Sequence, residues 1–483
     1  MTASLNSRKS VMLQASQDSV NGSEVSRQSS FSKNLFPHYS EGNSLLGCLF
    51  FDACRKNNTT RNMEDIIITG ANVWIDGKFV VADVSVHDRK ISAIGNPMLQ
   101  TFNGKIIDGT GKYLVPGLVD MHVHFREPGY SYKETIRTGS MAAAAGGFTI
   151  VCTMPNLNPA PDNVENLRRQ LDIIRLDACI DVLPYATITK KRMGSELVDY
   201  RMLAPWVAGF SDDGTGVQDA DVMRKAMEGI APTGKILAAH CEVEALLNRG
   251  YIHDGEYCRR NGHRGICSES EWGEVERDIR LAEETGCRLH VCHISTKESV
   301  ALIRDAKRRG VKVTCETGPH YLTFCDEDLQ EEGRFKMNPP IRSREDRDAL
   351  REGLIDGTID VVATDHAPHS ESEKSKGLEK SAMGVVGLET AFAAVYTTMV
   401  KSGLISFERL VEAMAITPRR ILGLPGADGL TVGDTANLVL LDLERIMEVD
   451  PFRFKSMGTA TPYAGMTLQG WPVMTISNGN ICF

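Results

Sequence analysis

The amino-acid sequence predicts an α/β chain: a (β/α)8 TIM barrel with a small β-sandwich domain formed from both ends of the folded chain. Three observations carry this expectation. Strand-like and helix-like patterns alternate through the middle of the chain, as parallel βα units require. Eight strand candidates stand there, ending near His124, Met154, Thr187, Asp213, His240, His293, Glu316 and Asp365. The stretches on either side of them are β-rich.

Composition sets the bounds. A chain of 483 residues exceeds one ordinary core and fits a barrel of about 250 residues plus a second unit. It is 42% hydrophobic and 24% charged, as a globular chain is. Acids outnumber bases 63 to 54, for a net charge of -9. That balance argues against nucleic acid or a membrane as the partner. No apolar run approaches the roughly 20 residues that span a bilayer. The twelve cysteines lack paired zinc-ribbon spacing, and several lie in apolar strand-like runs. They read as reduced, buried residues of a cytoplasmic protein.

Residues 1–62 are rich in Ser and Asn and lack a sustained period. They read as a disordered or poorly ordered extension, either a tail or a Ser-rich transit segment. The apolar patch at 45–51 lies too far from the N-terminus for a secretory signal, and Met63 could open the folded part. From Asp65 short strands follow, one pair joined by an Asp76-Gly77 turn. Similar strands recur around 436–442 and 473–479. Residues 63–112 and 425–483 are therefore expected to form the composite β-sandwich, and residues 113–424 the barrel. Helices are expected near 132–145, 219–228, 274–284, 297–308 and 344–354. Two more follow at 389–400 and 406–414, ending near Thr417-Pro418.

Within the barrel, an apolar run from Tyr113 leads into Asp120-Met121-His122-Val123-His124-Phe125-Arg126-Glu127-Pro128-Gly129. On a strand, His122 and His124 share a face and can share a metal ion. Alone, such a pair is as readily incidental. Later strand ends add Ser211-Asp212-Asp213-Gly214, then His240-Cys241-Glu242, His290-Val291-Cys292-His293 and Thr364-Asp365-His366-Ala367-Pro368-His369. In a (β/α)8 barrel all of these meet at one mouth. Imidazoles and carboxylates without a thiolate pair suit Zn2+, one or two per chain. Such ions make a nucleophile of water near neutral pH. An Asp on the last strand can shuttle the proton. The chemistry expected is hydrolysis, or its reverse, at an amide-like carbon.

This succession resembles the cyclic amidohydrolases of the amidohydrolase superfamily. The segments His122 to Gly129, Thr153-Met154-Pro155-Asn156 and Met337-Asn338-Pro339-Pro340-Ile341-Arg342 resemble, more narrowly, the class I dihydroorotase family. The resemblance runs from about Asp65 to the C-terminus. It implies that His122 and His124 bind one metal, and His240 and His293 the other. Asp213 would bridge them where related enzymes use a carboxylated lysine; Asp213 is preferred, with its neighbour Asp212 left open. Asp365 would be both ligand and catalytic acid/base. Arg126, Asn156 and Asn338 would hold the carboxylate and ring of the substrate, and His369 with the backbone at Met383 and Gly384 would contact the ring. The reaction implied is reversible cyclisation of N-carbamoyl-L-aspartate to L-dihydroorotate plus water, in de novo pyrimidine (UMP) biosynthesis. A homo-oligomer and a complex with aspartate transcarbamoylase are the assemblies expected.

Other readings are weighed beside these. An allantoinase or dihydropyrimidinase is disfavoured by Arg126, Asn156 and the Asp-Asp-Gly stretch. A non-catalytic partner of aspartate transcarbamoylase is disfavoured by the full ligand set. His320 reads as a structural histidine, and His253 and His263 as solvated loop residues. His366 is expected to point away from the metal site. The charged run 370–376 reads equally as a solvated loop or a flap over the mouth.

Overall fold

The structure is a computed structural model that describes residues 64–95 and 102–483. The expected extension 1–62, its apolar patch and Met63 lie outside the described residues.

The folded chain opens with strands β1 (Ile66–Ile75), β2 (Lys78–His87), β3 (Lys90–Gly95), β4 (Lys105–Asp108) and β5 (Tyr113–Pro116). Asp76 (φ 48°) and Gly77 (φ 77°) turn β1 into β2 with the left-handed backbone that a two-residue hairpin needs. β1 to β3 pair antiparallel, while β4 and β5 add to β1 in parallel.

Eight parallel strands carry the middle of the chain: β6 (Leu118–Val123), β7 (Phe148–Thr153), β8 (Asp181–Pro184), β9 (Gly209–Phe210), β10 (Ile236–Ala239), then, after a small pair β11 (Ile252–His253) and β12 (Gly265–Ile266), β13 (Arg288–Val291), β14 (Val313–Thr317) and β15 (Val361–Val362). β6 to β8 form one sheet, and β9, β10, β13, β14 and β15 another. Isolated parallel bridges join Ala186, just after β8, to Phe210 of β9, and Val123 of β6 to His366, just after β15. Alternate strand residues such as Met121, Cys152, Ile236, Ala238, Val361 and Ala363 pack as one apolar cluster. The chain closes with β16 (Leu438–Glu448), β17 (Thr467–Ser477) and β18 (Asn480–Ile481).

These last three strands join β5, β1, β2 and β3 in one sheet, with β4 beside β1. β5 lies between β1 and β16, so terminal-sheet pairing runs past the expected boundary at residue 113. Leu114 faces the terminal cluster and Val115 the main core. Burial on both faces gives the strand the continuous apolar run that, read alone, leads straight into β6.

Helices lie between most parallel strands. Lys297–Arg309 starts on a Thr296 cap and stops at Gly310, φ 83°, as capping chemistry dictates. The helix expected from 132 forms only over Ile136–Ala145, because Thr135 caps it. The two late helices contain π turns, Tyr396–Val400 and Glu412–Ile416. Pro418 does not end the second. It sits in the first turn of a further helix, Thr417–Leu422, where its missing N–H costs nothing. The helix Val164–Asp177, capped by Asn163, is one the sequence reading did not name.

Candidate metal centre

Each expected ligand stands just beyond or at the C-terminal end of its strand. β6 leads to His122 and His124, β9 to Asp213, β10 to His240, β13 to His293 and β15 to Asp365. All six are buried. His122 Nε2 lies 3.3 Å from Asp213 Oδ1 and 3.6 Å from Asp365 Oδ1. His124 Nε2 lies 3.5 Å from Asp213 Oδ2 and 3.1 Å from Asp365 Oδ1. Asp213 Oδ1 is also 3.5 Å from His240 Nδ1 and 3.6 Å from His293 Nε2. These two histidines approach each other to 2.9 Å, Nδ1 to Nε2.

Donor chemistry tests whether a cation fits. His122 Nδ1 faces Glu316 at 2.7 Å and His124 Nδ1 faces the Asn156 carbonyl at 2.9 Å. Both Nδ1 atoms therefore carry the hydrogen in the neutral ring, and both Nε2 lone pairs point at carboxylates. His122 Nε2 and Asp213 Oδ1 are buried with no hydrogen-bond partner among the described residues. Converging lone pairs repel unless a cation lies among them, so the set fits a divalent ion. His122, His124 and Asp365 form one group able to hold an ion, and His122, Asp213 and His293 another.

Electrostatics follow this crowding. Burial works to raise the Asp213 carboxyl, but the neighbouring rings of His122, His240 and His293 hold it well below the usual carboxylate range. Burial lowers His240, yet Asp213 and Glu242 outweigh it and push the ring up to about 10. Asp365 is held down at about 2 against its burial by the neighbouring rings of His124, His122 and His293.

Asp212 and Asp213 separate cleanly. Asp212 turns from the cluster and accepts from Ile188 N at 2.8 Å, from Thr189 N at 3.1 Å and from the Thr189 hydroxyl. Asp213 alone faces the histidines.

The expected substrate residues gather beside this cluster. Arg126 is buried. Its Nε donates to Pro368 O at 3.2 Å, and Nη2 comes within 3.5 Å of His369 Nε2. His369 donates from Nε2 to the Met383 carbonyl at 2.7 Å, leaving Nδ1 to accept from Lys133 Nζ at 3.2 Å. At Gly384 a Cβ would stand 2.7 Å from Ala367 O and 3.1 Å from His369 Nε2, so only glycine fits. Asn338 donates to Glu242 Oε1 at 2.9 Å, while its Oδ1 is buried without a partner among the described residues. Arg126 (φ 57°), His293 (φ 34°) and Asp365 (φ 47°) all have left-handed backbone. Such strain costs roughly 1–3 kcal/mol per residue and collects at functional sites.

Several further residues, not expected as ligands or substrate contacts, support the cluster. Asp120 accepts from His122 N at 3.0 Å and from the Thr364 hydroxyl at 2.6 Å, tying β6 to β15. Glu242 lies 3.5 Å from His240 Nε2. Only its position two residues after that histidine could have pointed to it. Lys133 reaches Glu373 at 2.9 Å, fastening the 370–376 run, which folds as a short helix with Lys374 buried. His366 does point away, toward Glu134 at 3.5 Å, and His320 is buried. His253 is not a solvated loop residue. It is buried on β11, 3.5 Å from Arg342 Nη1. His263 is half-buried between the Tyr251 hydroxyl and Glu331.

Known proteins resemble this chain. A Dihydro-orotase-like family model matches residues 111–299. The dihydroorotase of Bacillus caldolyticus is 50% identical over 408 residues, covering 84% of this chain and 95% of that protein. That of Bacillus cereus strain AH820 is 47% identical over 410 residues, with the same coverage of 84% and 95%. Among solved structures, the L-hydantoinase (dihydropyrimidinase) from Arthrobacter aurescens superposes with a TM-score of 0.78 at 28% identity, covering 87% of this chain and 96% of that one. Fold and similarity together place the chain among the cyclic amidohydrolases. Within that class it belongs to the dihydroorotase family.

Proposed function

We propose that the protein is a metal-dependent dihydroorotase that interconverts N-carbamoyl-L-aspartate and L-dihydroorotate plus water, a step of pyrimidine biosynthesis. The observation that carries the reading is the buried guanidinium of Arg126 beside six buried histidines and aspartates whose donor atoms fit a divalent ion. A cyclic amide needs the cluster, and a ring bearing a carboxylate needs the guanidinium. The parallel strands are read as a (β/α)8 barrel, with the active site where their C-terminal ends meet. The terminal sheet is read as the small β-sandwich.

His122, His124, Asp213, His240, His293 and Asp365 would hold one or two ions, with zinc proposed. A bound ion would polarise the amide carbonyl and lower the pKa of water. The chain's own residues do the rest. Arg126 and the Asn156 amide bind the substrate carboxylate, and Asn338 and His369 orient the ring. The Asp365 carboxylate, ionised at neutral pH, accepts the proton that the attacking water gives up. It returns that proton to the ring nitrogen as the C–N bond breaks. Cyclisation reverses these steps.

Cytoplasmic location, a homo-oligomer and association with aspartate transcarbamoylase belong to the same proposal. No helix among the described residues is long and apolar enough to cross a membrane. The test is an assay of zinc-loaded protein on dihydroorotate and N-carbamoyl-L-aspartate, beside allantoin and hydantoin. Turnover of the first pair alone is expected. Activity only on the neutral rings would overturn the assignment.

A further inference from the structure

β14 brings no ligand to the cluster, yet it carries a fully buried carboxylate beneath it. Glu316 Oε1 lies 2.7 Å from His122 Nδ1, and Oε2 lies 3.1 Å from His290 Nε2. Both histidines are completely buried. His290 Nδ1 is in turn 2.8 Å from the Thr314 hydroxyl. An ionised carboxylate only accepts, so both imidazole nitrogens facing it carry hydrogens. His290 then accepts from Thr314 at Nδ1, and every side-chain polar atom of Thr314, His290 and Glu316 has a partner. The His122 ring is left one free lone pair, on Nε2, aimed at Asp213 and Asp365.

We infer that Glu316 is a positioning residue for the metal centre, fixing the tautomer and orientation of His122, with Thr314 and His290 holding the carboxylate in place. The inference rests on the metal-dependent reading proposed above. A carboxylate behind a ligating histidine makes the ring a better donor, and its loss commonly weakens metal binding by about 10–100-fold. His122, Cys292 and Glu316 lie close enough to hold an ion themselves, and Glu316 would then be a ligand. The short contact of Glu316 with Nδ1, and the lack of a hydrogen-bond partner for Nε2 among the described residues, favour the positioning role.

The test compares wild-type protein with Glu316→Gln and Thr314→Val. Zinc affinity is read by chelator competition, the ligand field by the visible spectrum of the Co2+-loaded proteins, and folding by melting of the metal-free proteins. We expect Glu316→Gln to bind zinc about 10–100-fold more weakly and to alter the Co2+ spectrum. Thr314→Val should have a smaller effect in the same direction. Should Glu316→Gln not fold, the ring nitrogens of 15N-histidine-labelled, metal-free wild type decide the matter, with His122 expected as the Nδ1–H form. Unchanged zinc affinity in Glu316→Gln, an Nε2–H His122, or a sulfur-to-cobalt charge-transfer band from Cys292 would each overturn the inference. Wild type that binds neither ion would instead overturn the metal-dependent reading beneath it.

Discussion

The strand-end cluster and the terminal sheet are built from the same chain under opposite rules. In the terminal sheet, alternate residues such as Ile66, Ile68, Val84, Val86, Leu438 and Leu440 form an apolar cluster. Its turns sit on residues suited to them, as at Asp76 and Gly77. At the ends of the parallel strands, buried imidazoles and carboxylates face one another. Three non-glycine residues there hold left-handed backbone outside any hairpin turn, and two atoms without a hydrogen-bond partner among the described residues, His122 Nε2 and Asp213 Oδ1, face each other at 3.3 Å. The sheet keeps its left-handed non-glycine residues in its turns, whereas the cluster holds facing lone pairs that a ligand can resolve. The neighbours Asp212 and Asp213 show the same contrast at single-residue scale. One is satisfied by backbone and hydroxyl donors, the other faces a cluster of histidines.

Substitutions can break this contrast. The largest effect is expected at Asp365. Asp365→Asn should lower dihydroorotate turnover by at least about 10²–10⁴-fold, the usual worth of a general acid/base, while much of the metal stays bound. Full activity would remove Asp365 from the mechanism. Next comes Arg126. Arg126→Met should lower kcat/KM for dihydroorotate by about 10–100-fold, the equivalent of a lost charge-assisted hydrogen bond, and lysine should restore it poorly because it lacks the fork. The carboxylate pair sharpens the comparison further. Asp213→Asn should lose metal, measured by chelator competition. Asp212→Asn should keep it and melt earlier, with a cost of about 1–3 kcal/mol from strained donors; the reverse pattern would exchange their roles. The smallest effect belongs to the sheet. Gly77→Ala should cost about 1–2 kcal/mol of stability, because an L-residue pays for left-handed backbone, and should leave turnover unchanged. No heavy atom among the described residues lies within 4 Å of the added Cβ.

The sequence made some of this legible and left the rest hidden, for physical reasons. Strand ends could be read because short apolar runs finish in His, Asp and Gly, and the six converging side chains all belong to such ends. Asp213 could not be told from Asp212, since both follow β9 and only packing against Thr189 distinguishes them. Glu316 shows no pattern. A lone acid in an apolar strand gains its meaning from His122, 194 residues away. Lys133 reaches His369 across 236 residues, and no local period encodes that contact. His253 looked solvated beside Asp254 and Gly255, yet the chain folds it onto Arg342. The start of the helix Ile136–Ala145 was missed because a Thr135–Thr138 capping box replaces the more familiar glutamate.

The most direct test measures zinc per chain together with dihydroorotate turnover, before and after chelation and on readdition of zinc. One to two ions per active chain are expected, with loss of turnover on stripping and its return with the metal. Undiminished turnover in fully stripped protein would contradict the metal-dependent reading.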